Sequence, residues 1–144
     1  MRVNINIYYM QMALLASKRS GCIDRQVGAI LTDKNNRVLS IGYNSPPRKL
    51  PACQEVPCGG HLPGKSCVAA HAEISAITAC RAIQDAYNIY STLSPCVSCM
   101  QAIMATNIQN LFIFEFHHSW PKSKELWTGN TFKVDLDNEI IVSI

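Results

Sequence analysis

Residues 87–105 read YNIYSTLSPCVSCMQAIMA, and the punctuation inside this stretch decides the fold. Tyr87 to Leu93 is a short run rich in Ile, Tyr and Thr, which reads as a β-strand. Pro95 closes it, and Val97 to Ala105 returns to apolar spacing that suits a helix opening just after the proline. Cys96 and Cys99 lie three apart at that helix start, so they share one face. Working outward, Leu111 to Phe116 has the pattern of a buried strand, and Glu139 to Ile144 closes the chain with another. Upstream, His71 to Ile83 is spaced as a helix through Ile74, Ile77 and Ala79. Val27 to Leu31 and Val38 to Tyr43 flank the turn-like Lys34-Asn35-Asn36 and read as a hairpin. Ile5 to Lys18 carries Ile7, Met10, Leu14 and Leu15 at helical spacing. Trp120 to Asn130 is polar and yields no firm element. Strands alternating with helices give an α/β class, a three-layer α/β/α sandwich with a mixed central sheet and the hairpin strands at its start.

At 144 residues and 48% hydrophobic, the chain suits one domain, residues 1–144, with an ordinary core. The net charge of +3 is mild and its basic residues are scattered. That suits a small anion better than a polynucleotide, which calls for a basic stripe. No apolar stretch reaches the length of a membrane span. Seven cysteines is an odd number, and no charged start followed by an apolar run resembles a secretory signal. The cysteines therefore read as metal ligands of a cytoplasmic protein rather than a disulfide framework. Cys80, inside a helical pattern, is the natural candidate for a plain buried thiol.

Asn44 to Ser66 is different in kind. It holds five of the seven prolines and three glycines, with no apolar periodicity. So long a structureless loop is uncommon in a compact domain unless something ties it down.

The chemistry sits in His71-Ala72-Glu73 and Pro95-Cys96-Val97-Ser98-Cys99. His71, Cys96 and Cys99 supply one imidazole and two thiolates, the number of ligands a catalytic zinc needs if a fourth position is to stay open for water. A helix start favours the anionic form of the thiols. Glu73, two residues past the histidine, can work on that water without ligating the metal. Four more cysteines, Cys22, Cys53, Cys58 and Cys67, lie in and around the long loop, and four thiolates would close a tetrahedral structural zinc. His61 in place of Cys58 is the competing set.

With these residues in hand, the chain resembles the deoxycytidylate (dCMP) deaminases of the phage and bacterial type, within the cytidine deaminase-like superfamily. The ordered pair of zinc motifs is the general signature of zinc-dependent nucleobase deaminases. Arg19-Ser20-Gly21-Cys22, Val27-Gly28-Ala29 and Gly42-Tyr43-Asn44-Ser45-Pro46-Pro47 narrow the match, together with Cys53, Cys58 and Cys67. The resemblance covers about Met10 to Phe116. It implies hydrolysis of dCMP to dUMP, a homo-oligomer that is commonly a hexamer, activation by dCTP and inhibition by dTTP. It implies Glu73 as proton shuttle, Asn44 at the sugar and Arg25 at the phosphate, with Val27, Ala72 and Ser94 completing the substrate site. It also agrees with a second zinc. The chain departs from the family at Ser45, at Glu73-Ile74-Ser75, and at Phe114-Glu115-Phe116-His117-His118, where a tyrosine-rich stretch is usual. On residues alone His117 and His118 read as ordinary rim residues.

Two rivals remain at this level. A deaminase acting on a cytosine or adenine within single-stranded nucleic acid requires a basic, aromatic channel that the chain does not display. A non-catalytic zinc-stapled nucleotide-binding module would need the ligands but not Glu73.

Overall fold

A computed structural model describes residues 1–57, 59, 63 and 67–144. Its elements in chain order are α1 (Ile5–Ser17), β1 (Gly28–Thr32), β2 (Val38–Tyr43), α2 (Ala72–Ala79), β3 (Asn88–Leu93), α3 (Val97–Met104), β4 (Asn110–Glu115), α4 (Trp120–Leu126), β5 (Asn130–Asp135) and β6 (Ile140–Ser143). A single 3-10 turn, Ile83–Asp85, leads into β3. The strands form one sheet in the order β2-β1-β3-β4-β5-β6. The β1–β2 hairpin is antiparallel, β3–β4 and β4–β5 run parallel, and β6 returns antiparallel to β5. The mixed three-layer sandwich expected from the sequence is the architecture observed.

Side chains alternate across the central strands, and that alternation divides the core in two. Ile30, Tyr90, Phe112 and Val134 face α1, packing against Ile7, Met10 and Ala13. Leu31, Ile89, Leu111 and Ile113 face the other way, against Ala72 and Ala76 of α2, Met100 and Ile103 of α3, and Trp120 of α4. Each fully buried aliphatic side chain of this kind contributes about 1.5–3 kcal/mol. Tyr9, Tyr90, Phe112 and Phe132 form an aromatic file on the α1 side, with successive ring centroids 5.4, 4.5 and 4.7 Å apart.

Glycine sets the spacing of the layers at two points. A Cβ on Gly28 would lie 1.9 Å from the Ala13 carbonyl oxygen, so α1 rests directly on β1. A Cβ on Gly42 would lie 2.4 Å from the Ala72 oxygen and 2.5 Å from the Ala76 nitrogen, so α2 rests directly on β2.

The amino ends of the three parallel strands carry a device invisible in any one of them. Asn88, Asn110 and Asn130 are the first residues of β3, β4 and β5 and stand in register. The Asn130 amide donates to Asn110 Oδ1 at 2.9 Å, and the Asn110 amide donates to Asn88 Oδ1 at 2.8 Å. Asn88 then donates to Thr32 Oγ1 at 3.0 Å, extending the ladder onto β1.

Three details differ from the sequence reading. The helix expected to reach Ile83 ends at Ala79, with Cys80 buried at its close. The polar 120–130 segment is helical as far as Leu126 because Trp120 and Ser123 are buried against the sheet layer while the rest faces water. Residues 130–135 form β5, a strand not assigned from the sequence although Phe132, Val134 and Leu136, which pack on the α1 side, alternate with Lys133 and Asp135 in the two-residue period of a half-buried strand. Among the described residues, no helix is long and apolar enough to cross a membrane.

Candidate active site at the carboxyl ends of the strands

The first helix is capped in the ordinary way, with Asn4 Oδ1 accepting from the Asn6 backbone N–H at 2.8 Å. Helices α2 and α3 are not. Their N-cap residues are His71 and Cys96, and neither side chain makes a capping bond. Both are extended at the cap, which turns them off the helix axis and toward each other. His71 Nδ1 lies 3.2 Å from Cys99 Sγ and 3.5 Å from Cys96 Sγ. The three ligand atoms all fall within 4.8 Å of one another, the only such group of three among the described residues. One imidazole nitrogen and two thiol sulfurs at this separation match the donor set and spacing of a zinc site with an open fourth position.

The local electrostatics follow from this crowding. Hydrogen bonds from Cys99 and His71 pull the Cys96 thiol down to about 3. The Cys99 thiol is pushed up, first by sharing its hydrogen bond with Cys96 and then by burial. Glu73 sits in the first turn of α2, buried beside Cys99, and burial raises its carboxyl above the usual range. A carboxyl in that state can hold a proton and release it, the property a proton shuttle requires.

A cleft of about 220 Å³ opens over these groups. Its walls include Arg25, Val27, Asn44, Ala72 and Ser94, all of which the sequence reading placed at the substrate, along with Glu73, His71 and Cys96. Asn44 is buried, and its side chain clamps the chain ahead of β1: Oδ1 accepts from the Val27 N–H at 2.8 Å, and Nδ2 donates to the Arg25 carbonyl at 2.7 Å. Its own carbonyl accepts from Ser20 Oγ at 2.8 Å. The clamp fixes the segment that carries Arg25 at the edge of the cleft.

Sequence reasoning passed over His117. It follows β4, lines the cleft, and donates its backbone N–H to Ser94 Oγ at 2.7 Å. Burial first, then the charges of His118 and Arg25, lower its pKa. Only the parallel pairing of β3 with β4, which brings their ends together, marks it out. His118 is exposed beside it. Asp24, Cys22 and Cys67 also reach the cleft.

The second ligand set is less closely drawn. Cys22 and Cys53 are buried and Cys67 is exposed, while Cys58 and His61 lie outside the described residues. The long loop does return to the end of α1: the Gln54 N–H donates to the Gly21 carbonyl at 3.3 Å, and the Gln54 side chain donates to the Ser20 carbonyl at 3.1 Å.

Residues 3–115 match the family model of the cytidine and deoxycytidylate deaminase zinc-binding region. The deoxycytidylate deaminase of Mycobacterium phage D29 is 34% identical over 115 residues, which covers 72% of this chain and 89% of that protein. That of Schizosaccharomyces pombe is also 34% identical over 115 residues, but the match spans 35% of its length, so the chain corresponds to about a third of it. In fold, the chain resembles the dCMP deaminase of cyanophage S-TIM5 crystallised with dCMP and dUMP, with a TM-score of 0.74 at 24% identity over 93% of this chain and 99% of that one.

Proposed function

This chain belongs to the cytidine and deoxycytidylate deaminase zinc-binding family, and from that premise we propose that it hydrolyses dCMP to dUMP and ammonia. The observation that carries the reading is a buried Glu73 carboxyl beside the cluster of His71, Cys96 and Cys99, with Glu73, His71 and Cys96 bordering one cleft. His71, Cys96 and Cys99 would hold the zinc, which when bound would lower the pKa of a water from about 16 to about 7 and so make a nucleophile available at neutral pH. Glu73 takes a proton from the attacking water and passes it to the ring nitrogen, then takes the remaining proton from the hydroxyl now bound to the ring carbon and delivers it to the amino group as it leaves. One water enters and one ammonia departs. Arg25 takes the phosphate and Asn44 the sugar, with Val27, Ala72 and Ser94 shaping the pocket. The relatives named as deoxycytidylate deaminases support this substrate, as does the scattered charge, which offers no track for a strand of nucleic acid.

The finer points of the reading are a second zinc on Cys22, Cys53, Cys67 and Cys58 (or His61), a cytoplasmic homohexamer, and control by dCTP and dTTP. The loop's return to the end of α1 supports the first, because it brings the Cys53 segment to the Cys22 turn.

A panel of dCMP, dCTP, deoxycytidine and a cytosine-containing oligonucleotide, assayed for ammonia release by zinc-loaded protein with and without dCTP or dTTP, tests the proposal. Preference for dCMP is the expected result. Equal rates on deoxycytidine would remove the monophosphate from the reading, and preference for the oligonucleotide would replace it with base editing in a strand. Elemental analysis of the same preparation should return two zinc ions per chain; one would refute the second set.

A further inference from the structure

His117 is held as no rim residue needs to be. Its backbone N–H is fixed to Ser94 Oγ at 2.7 Å, and its ring is fixed at Nδ1, where the Ser119 hydroxyl lies at 2.7 Å and the Ser119 backbone N–H at 3.2 Å. A backbone N–H can only donate. Nδ1 must therefore present its lone pair, which leaves the proton of the neutral ring on Nε2. Among the described residues Nε2 has no hydrogen-bond partner, and His117 lines the cleft together with Arg25. Two loops from different parts of the chain thus bring two donor-bearing residues to one cleft, Arg25 from the segment ahead of β1 and His117 from the segment after β4. Asp24 lines the same cleft, but a carboxylate only accepts and so offers no donor to an oxyanion.

We propose that His117 is a specificity-determining residue for the monophosphate: its Nε2–H donates to a phosphate oxygen that Arg25 also holds. The role rests on the deaminase reading of the site and refines it. Arg25 presents its guanidinium from an exposed side chain, whereas the His117 ring is held through its backbone N–H and at Nδ1, so the imidazole decides where the phosphate sits and the guanidinium adds charge. Ser119 acts through His117 and is a positioning residue, because it fixes which ring nitrogen carries the proton.

Steady-state kinetics of zinc-loaded wild type, His117→Ala, His117→Gln and Ser119→Ala on dCMP and on deoxycytidine test this. His117→Ala should raise KM for dCMP about ten- to a hundred-fold, the range for a lost hydrogen bond to a charged group, with kcat moved far less. KM for deoxycytidine should shift much less than KM for dCMP. His117→Gln, which restores an N–H donor, should recover part of the loss, and Ser119→Ala should lose a smaller part. A second measurement needs no variant. Imidazole nitrogen NMR of the wild type should show the Nε2–H form, and titration with dCMP, or with inorganic phosphate alone, should move the Nε2 signal more than Nδ1. A wild type that prefers dCMP while His117→Ala keeps the same preference overturns the role and leaves the deaminase reading intact. An Nδ1–H tautomer does the same. A wild type indifferent between dCMP and deoxycytidine overturns the monophosphate reading and this role together.

Discussion

The two ends of the parallel strands are both polar, and they use their polarity in opposite ways. At the amino ends, Asn88, Asn110 and Asn130 donate to one another in a line that finishes on Thr32, so the polar groups answer to their own neighbours. At the carboxyl ends, Glu73, Arg25 and the His117 ring face a cleft, and the N-cap side chains His71 and Cys96 forgo capping to gather round a metal position. Ligands in open α/β sheets settle outside the carboxyl ends of strands, where loops diverge. One end is thus closed on itself and contributes stability; the other is held incomplete and contributes chemistry.

The largest effect expected from this division is at Glu73. Glu73→Gln keeps the size of the side chain and abolishes its proton traffic, so kcat should fall by about 10²–10⁴, equivalent to about 3–5 kcal/mol of barrier. Zinc content and thermal midpoint should hold. Near-normal turnover would break the contrast, because the open end would then not be where protons move.

The mirror experiment is at the centre of the ladder. Asn110→Ala leaves Asn88 Oδ1 without its donor and Asn130 Nδ2 without its acceptor, and should lower stability by about 1–3 kcal/mol in a urea titration. Turnover per folded molecule should be unchanged. A loss of turnover with no loss of stability would mean that the amino end reaches the site.

The smallest effect is a slope. Burial raises the Glu73 pKa above 4.5, so in chelator-treated protein the folded state keeps this proton to higher pH than the unfolded chain does. The stability it contributes is complete below the unfolded value and is lost as pH rises through the folded one, at no more than about 1.4 kcal/mol per pH unit. Glu73→Gln cannot ionise. Its urea midpoint should therefore fall less steeply from about pH 4 upward, and identical slopes would deny that burial penalises the charged carboxyl.

What the sequence revealed follows the same line. His71, Glu73, Cys96 and Cys99 were legible because two helix starts fix their spacing within a few residues. Arg25 and Asn44 were assigned to the substrate only through resemblance, since a charge before a strand and an asparagine before prolines are ordinary on their own; the fold brings both to the cleft. His117 and the asparagine ladder were not legible, because both depend on register between strands: the ladder joins residues 22 and 20 positions apart. Strand β5 was legible in the alternation of Phe132, Val134 and Leu136 with Lys133 and Asp135 and went unassigned, whereas α4 was hidden by a polar surface anchored only at Trp120 and Ser123.

Where a Cβ at Gly42 would meet the backbone of α2, no side chain lies between the hairpin and the helix that begins at His71. Where side chains fill the gap between layers, rotamers can yield and absorb a displacement; here, as at Gly28 against α1, two main chains meet as bare surfaces. With no side chain there to absorb it, a displacement of β2 would be passed to the first turns of α2, the helix that His71 caps and that carries Glu73. Anything that grips that outer strand, from a neighbouring subunit to an engineered clamp, would adjust the angle between imidazole and thiolates without entering the cleft.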